Sequence, residues 1–338
     1  MSIRDALQRV VDGKDLGREE AAQAMTDIME GAATPAQMAG FLTALRMKGE
    51  TVEEITGLAQ VMRQKAVLVH PAAPDLVDTC GTGGARVKTF NVSTTAAFVL
   101  AGAGVAVAKH GNRSATRASG SADVLEALGV NLAVDPERVT KCIDRVGIGF
   151  LFAPHFHPAM RYAAPVRKDL GIRTIFNLLG PLTNPAGATV HLMGVFAPEW
   201  TEPLARTLGN LGCRRALVVH GEPGIDELST LGPTRVSELD GGQVHTYQVA
   251  PGQLGLPIAQ PEQVAGGTPQ ENAQIAVAVL SGEPGPCRDL VLLNAAAGLM
   301  IAGVAKDLEQ GLTVAANVVD KGLALHKLEQ LRAFTNRT

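Results

Sequence analysis

CGTGGARVKTFNVSTTAAFVLAGAGVAVAKHGNR, residues 80–113, is the stretch on which the fold turns. Three glycines in four positions (Gly81, Gly83, Gly84) open it, followed by an Asn-Val-Ser-Thr turn and an apolar helical run from about Ser93. A short Val/Ala strand over Val105–Ala108 then leads to a second polar turn, Lys109-His110-Gly111-Asn112-Arg113. Upstream, Leu76-Val77-Asp78-Thr79 reads as a strand, and downstream another helix starts near Ser121. Short Val/Ala/Leu strands alternating with helices predict parallel strands with helical crossovers, an α/β domain. Ligands of open α/β sheets bind beyond the carboxyl ends of the strands. Both polar turns follow a strand and lead towards a helix, so both are expected at that end.

Residues 1 to about 70 predict helices only. Ile3, Leu7, Val10 and Val11 share a helical face ended by Gly13. Thr34-Pro35-Ala36-Gln37 is a capping box with proline at the first helical position, and Thr51-Val52-Glu53-Glu54 opens another helix in the same way. Pro71 and Pro74 mark a boundary. Beyond the α/β alternation, Leu217-Val218-Val219-His220 predicts a strand and Gly241-Gly242 a hairpin turn. Helices are expected at 268–281, 288–304 and 310–333.

With 338 residues the chain can hold one large core and a smaller second one. Aromatics make up only 4%, so Ala, Val, Leu and Ile must build those cores. A formal charge of −3 argues against broad attraction to nucleic acid or membrane, so an anionic ligand needs a local basic cluster. Cys80, Cys142, Cys213 and Cys287 are isolated, without zinc spacing or a disulfide pattern, and reduced thiols in the cytoplasm are expected. The N-terminal MSIRDALQRVVDGKD reads as an amphipathic helix rather than a signal peptide, and no apolar uncharged run reaches 18 residues.

The chemistry lies in the turns. Glycines let backbone N–H groups close on an anion, and Ser93 and Thr94 add hydroxyls at the positive end of a helix. Ordinary tight strand-to-helix turns would also use glycine. Gly102-Ala103-Gly104 lacks the third glycine of a dinucleotide fingerprint, since Val107 stands there, and no G-x-x-x-x-G-K-[ST] loop is present. Lys109, His110, Asn112, Arg113 and Arg117 are the densest basic patch at an expected strand end, with Ser114, Ser119 and Ser121 beside it. Asp226-Glu227, in a loop after the strand 217–220, suits Mg²⁺, which takes few carboxylates and keeps water and phosphate oxygens. His155 and His157 lack a carboxylate at metal spacing, so one is expected to line a pocket and the other to pack. Arg161, Arg167 and Arg173 remain to recognise a carboxylate.

Gly81-Thr82-Gly83-Gly84, Phe90-Asn91-Val92-Ser93-Thr94, Lys109-His110-Gly111-Asn112-Arg113 and Ser119-Gly120-Ser121-Ala122-Asp123 resemble, in order and spacing, the anthranilate phosphoribosyltransferase family. FAPHFHPAMRYAAPVRKDLGIRTIFNLLGPLTNP and Asp226-Glu227 extend the resemblance over effectively the whole chain. It implies transfer of the phosphoribosyl group of 5-phosphoribosyl-1-pyrophosphate to the amino group of anthranilate, an early step of tryptophan biosynthesis. It implies a small all-helical domain, residues 1–72 completed by about 165–190, packed on a large α/β domain of 73–164 and 191–338 with a mostly parallel sheet. Family members are usually homodimers joined through the helical domains.

By matching motif, Gly81, Gly84, Thr89, Asn91, Ser93, Thr94, Lys109, Asn112, Arg113 and Ser121 are expected to hold the phosphoribosyl donor. Ser93, Asp226 and Glu227 are expected to hold two Mg²⁺ ions. Gly81, Asn112, His157 and Arg167 are expected to line the anthranilate site, and no single catalytic acid or base is assigned. The family's glycine loop usually continues with Asp and Gly, whereas Ala85 and Arg86 stand here and Lys88 replaces a small polar residue. Such a loop is expected to depend less on Mg²⁺, with Arg86 and Lys88 free to meet a diphosphate. The other readings are a pyrimidine nucleoside phosphorylase and a non-catalytic relative binding nucleic acid; the LGPLTNP and KHGNR segments and the Asp-Glu pair speak against them.

Overall fold

Side-chain caps start the N-terminal helices of the computed structural model, which describes residues 1–114 and 119–337. Ser2 caps α1 (Ile3–Val11), Thr34 caps α3 (Pro35–Lys48) and Thr51 caps α4 (Val52–Gln64), each in a reciprocal box with the residue three positions on. Between the first two of these lies α2 (Arg18–Met29). Glu54 does more than close its box. Fully buried, it also accepts the Leu16 N–H at 3.0 Å and the Lys48 ammonium at 3.0 Å, tying two connections to α4. Val11, expected on the buried face, is 62% exposed. Ile3, Ala6 and Val10 fill that face, and Val11 lies about 100° further round the last turn.

Seven strands form one sheet: β1 (Val77–Asp78), β2 (Val107–Gly111), β3 (Ile148–Phe152), β4 (Val190–Gly194), β5 (Arg215–Gly221), β6 (Thr234–Asp240) and β7 (Gln243–Val249). Their order is β3-β2-β1-β4-β5-β6-β7, parallel from β3 to β5 and antiparallel through the β6–β7 hairpin. Helix α5 (Val92–Gly102) joins β1 to β2, and α6 (Ser121–Ala127) follows β2.

Alternation along β4 and β5 sends neighbouring side chains to two different cores. Leu192, Leu217 and Val219 join α5 and the C-terminal helices Pro269–Leu280, Pro286–Ile301, Leu308–Asp320 and Leu323–Asn336. Met193, Val195, Ala216 and Val218 join helix Thr201–Asn210, α1 to α4, and Ala163, Val166, Ile175, Phe176, Leu178, Leu179 and Leu182. No described helix is long and apolar enough to cross a membrane.

Two sequence expectations are corrected. The helix expected over 310–333 is two helices, broken at Gly322 with φ +69°. The strand expected over Val105–Ala108 starts at Val107 and continues through Lys109, His110 and Gly111, which pair with Phe150, Leu151 and Phe152. The charges of Lys109 and His110 suggested a turn, but both side chains are buried and find polar partners inside.

Candidate active site

The order of strands reverses around β1, which has β2 on one side and β4 on the other, so a crevice opens between the segments that leave β1 and β4. The glycine loop lies along it. Thr82 donates its N–H to the Gly194 carbonyl at 2.9 Å, and its hydroxyl accepts the Phe196 N–H at 3.1 Å. A side chain at Gly81 would stand 3.1 Å from that carbonyl and 3.4 Å from Asp226 Oδ2, which leaves the backbone bare against the carboxylate. Gly83 and Gly84 adopt φ +66° and +77°, a region other residues enter at a cost.

Lys109 comes up from β2 behind this loop and is only 3% exposed. Its ammonium donates to the Thr79 carbonyl at 2.6 Å, to Thr79 Oγ1 at 3.2 Å and to Ser93 Oγ at 3.4 Å. Burial pushes its pKa down, while the Asp78 and Glu227 carboxylates act to hold the charge. Ser93 belongs to the first turn of α5, where the N-cap Asn91 makes no side-chain cap. Asn91 Oδ1 instead accepts from Ser119 Oγ at 3.1 Å and Asn272 Nδ2 at 2.9 Å. One ammonium, one hydroxyl and the positive end of a helix thus meet beside Thr79, just ahead of the glycine loop, a setting for phosphate.

Asp226 and Glu227 reach the same place from the loop after β5 and are nearly buried. A methyl on Gly194 would lie 1.6 Å from the Asp226 carbonyl oxygen, so β4 and this loop are in backbone contact. The loop is clamped from below by Asn294, a fully buried residue within the apolar helix Pro286–Ile301. Asn294 accepts the Leu228 N–H and donates to the Leu228 carbonyl, both at 2.9 Å. The negative field of both carboxylates reaches Cys80, whose thiol pKa is pushed up first by burial and then by nearby carboxylates.

Across β2, His110 Nδ1 meets the Gly180 carbonyl at 3.2 Å, and its ring lies 5.1 Å from that of His157. Nε2 of each is buried without a hydrogen-bond partner among the described residues. Burial pushes His110 down to about 3 and His157 to about 4, and His191, bonded to the Ala188 carbonyl, to about 4. Asp78, buried beside them, is pushed up to about 6. Each neutral histidine gains a proton only on unfolding below pH 6.5, so acid removes its stabilisation; Asp78 takes its proton more readily when folded and does the opposite. Three imidazoles against one carboxyl leave a net uptake of protons on unfolding between pH 6 and 4, so these four groups together lose stability as the pH falls. The denaturant midpoint is therefore expected to fall through that range and to fall less steeply in a His157→Gln variant. A midpoint independent of pH would contradict neutral rings.

Five of the ten expected donor residues lie around this crevice: Gly81, Gly84, Asn91, Ser93 and Lys109. Thr89 and Thr94 are buried, each with a hydroxyl that has no partner among the described residues. Asn112 and Ser121 adjoin, with Ser121 Oγ donating to the Asn112 carbonyl at 3.3 Å. Arg113 does not turn to the glycine loop. Its guanidinium pairs with Asp123 at 3.0 Å and Glu126 at 2.6 Å and lies over the Phe152 ring. Arg117 falls outside the described residues. Arg167 lies over Phe176, and burial pushes its pKa down; Arg173 lies over Phe196 with a nitrogen 3.8 Å from where a Gly84 side chain would begin. Arg161 stacks on Tyr162, and His155 packs edge-on against Phe152. Arg86 and Lys88 are exposed, and Ala85 is buried.

Residues 4–66 match the helical bundle domain of a glycosyl transferase family, and residues 73–325 its a/b domain. An anthranilate phosphoribosyltransferase of Symbiobacterium thermophilum is 60% identical over 335 residues, 99% of this chain and 98% of the relative. The chain belongs to the anthranilate phosphoribosyltransferase family. The crystal structure of the Thermus thermophilus anthranilate phosphoribosyltransferase superposes with a TM-score of 0.94 at 48% identity, covering 98% of this chain and all of that one. That of Saccharomyces cerevisiae, in complex with PRPP and Mg, superposes at 0.89 with 29% identity, covering 98% and 97%. As a glycosyltransferase of this family, the chain transfers a phosphoribosyl group to anthranilate, a step of tryptophan biosynthesis.

Proposed function

We propose that the crevice between β1 and β4 is where 5-phosphoribosyl-1-pyrophosphate and anthranilate react, and that the buried Lys109 ammonium beside Ser93 is the feature that carries this reading. Gly81, Gly84, Thr89, Asn91, Ser93, Thr94, Lys109, Asn112 and Ser121 hold the donor, with Arg113 in a supporting part. Arg113 serves from its ion pairs with Asp123 and Glu126, ordering the turn rather than reaching the diphosphate. Gly81, Asn112, His157 and Arg167 form the acceptor site. The half-buried Arg167, with no carboxylate partner among the described residues, suits anthranilate's carboxylate, and the neutral His157 suits its ring.

Mg²⁺ fits the donor set. Asp226 Oδ2 borders the bare Gly81 backbone, and Glu227 and the Ser93 hydroxyl both lie near the Lys109 ammonium. Ser93, Asp226 and Glu227 would hold two ions, as the Mg-bound yeast relative supports for the metal itself. Bound there, Mg²⁺ neutralises diphosphate charge and makes it a better leaving group.

The protein's own part is positioning and electrostatics. The bond from the ribose anomeric carbon to the diphosphate oxygen breaks as the bond to the anthranilate nitrogen forms. Lys109 and the α5 terminus stabilise the departing anion. The ribose carbon becomes oxocarbenium-like. Anthranilate's weakly basic amine is neutral at pH 7 and loses its proton only after attack, so no strong base is required. The products are N-(5-phosphoribosyl)anthranilate and pyrophosphate.

The working unit we propose is a cytoplasmic homodimer joined through the helical domain, with that domain comprising 1–72 and about 165–190. Packing of Val166, Phe176 and Leu179 with the helical bundle supports the division, and four unpaired cysteines suit a reducing compartment. Loss of anthranilate fluorescence on mixing with the donor and Mg²⁺ tests the reaction, with each component omitted in turn. Arg167→Ala is expected to raise the anthranilate KM about tenfold or more, the worth of one charge-assisted hydrogen bond, and to leave the donor KM near wild type. An unchanged anthranilate KM would remove Arg167 from the acceptor site.

A further inference from the structure

β1 is two residues long, whereas its neighbour β2 runs on to Gly111. Past Asp78 the main chain turns off into the glycine loop, and the β2 backbone groups facing that side lose their ladder partners. Two buried side chains replace them. Asp78 Oδ1 accepts the His110 N–H at 3.1 Å, and Asn184 Nδ2 donates to the Ala108 carbonyl at 2.7 Å. Asn184 Nδ2 also donates to Asp78 Oδ2 at 2.7 Å, so the two side chains are joined. The Ala186 N–H donates to Asn184 Oδ1 at 2.8 Å, which fixes the amide with its nitrogen towards two acceptors. Asp78 is fully buried and Asn184 is 2% exposed, so neither bond competes with water.

The two spliced bonds fall on Ala108 and His110, the residues on either side of Lys109. The same stretch of β2 is tied a third time, through the His110 ring and the Gly180 carbonyl. We infer that Asp78 and Asn184 are positioning residues for the phosphoribosyl donor: they continue the ladder where β1 ends, so the glycine loop can leave the sheet while Lys109 keeps its alignment on Ser93. The inference rests on the donor site proposed above. It names residues that touch neither substrate and act through β2.

The test is steady-state kinetics of Asp78→Asn and Asn184→Asp beside wild type, varying donor and anthranilate separately, with thermal unfolding of each protein. Asp78→Asn keeps size and can still accept the His110 N–H, but it cannot also accept from Asn184. Its donor KM is expected to rise about tenfold, with the anthranilate KM and kcat within about threefold of wild type. Asn184→Asp sets carboxylate oxygens against both the Ala108 carbonyl and Asp78, and is expected to do more to the donor KM or to unfold the protein. Asp78→Asn then decides. A folded Asp78→Asn protein with an unchanged donor KM, or with a loss in kcat alone, overturns the inference, since a merely supporting role would lower the active fraction and move neither KM. An inactive wild type would instead strike at the donor site itself.

Discussion

Alanine at position 194 is expected to cost at least 100-fold in kcat/KM and about 3 kcal/mol of stability, because its methyl would lie 1.6 Å from the Asp226 carbonyl oxygen. A flexible side chain could yield to such a contact, but this oxygen belongs to backbone. It sits in a loop already held at Leu228 by the buried Asn294. Either β4 or the Asp226-Glu227 loop must move by an ångström or more. Movement of β4 also disturbs the Thr82 N–H bond to the Gly194 carbonyl, so the glycine loop follows. Activity assays and thermal unfolding of Gly194→Ala check this, with Gly252→Ala as control, where an added methyl meets nothing within 4 Å. A fully active Gly194→Ala enzyme would mean that the carboxylate pair tolerates displacement, and its role in catalysis would have to be abandoned.

Lys109→Met is expected to leave the fold intact and lower kcat/KM for the donor by about 3 to 4 kcal/mol, on the order of 10²- to 10³-fold. Methionine fills the volume of the buried stem. It leaves the Thr79 carbonyl without its 2.6 Å donor and removes the cation beside Ser93. Most of the loss should appear in the donor KM, with pyrophosphate product inhibition weakened in parallel. Arginine is not a conservative replacement here, because its fork needs more room than a 3% exposed site provides. A donor KM at the wild-type value would show that the ammonium serves the core and not the substrate.

The loops of this site could be read in the sequence, while the scaffold under them was only partly visible. Glycines at 81, 83 and 84, the hydroxyls at 93 and 94 and the carboxylates at 226 and 227 announce themselves because each departs from the apolar runs beside it. The strands IGFLF at 148–152 and VHLMG at 190–194 escaped notice, since short apolar runs read equally well as pieces of buried helix. Asp78 and Asn184 gave no local signal at all, being partners across 106 positions. Asn294 did leave one, a lone amide in the apolar run LVLLNAAAGLM. Arg113 was legible as a cation but not as an engaged one. Asp123 and Glu126, three apart on α6, share a face turned towards it, and that spacing was there to be used.

The alternating side chains of β4 and β5 have one more consequence, for how the molecule comes apart. The interior that holds Met25, Ile28, Phe41 and Leu58 together also contains Met193, Ala216 and Val218 from the sheet. The helical bundle therefore owns no private interior, and the sheet cannot lose the bundle without baring one apolar face to water. Heat or denaturant acting on either part dismantles the packing of the other. Bundle and sheet are therefore expected to unfold as one cooperative unit, with the N-terminal helices a wall of the enzyme rather than a detachable module.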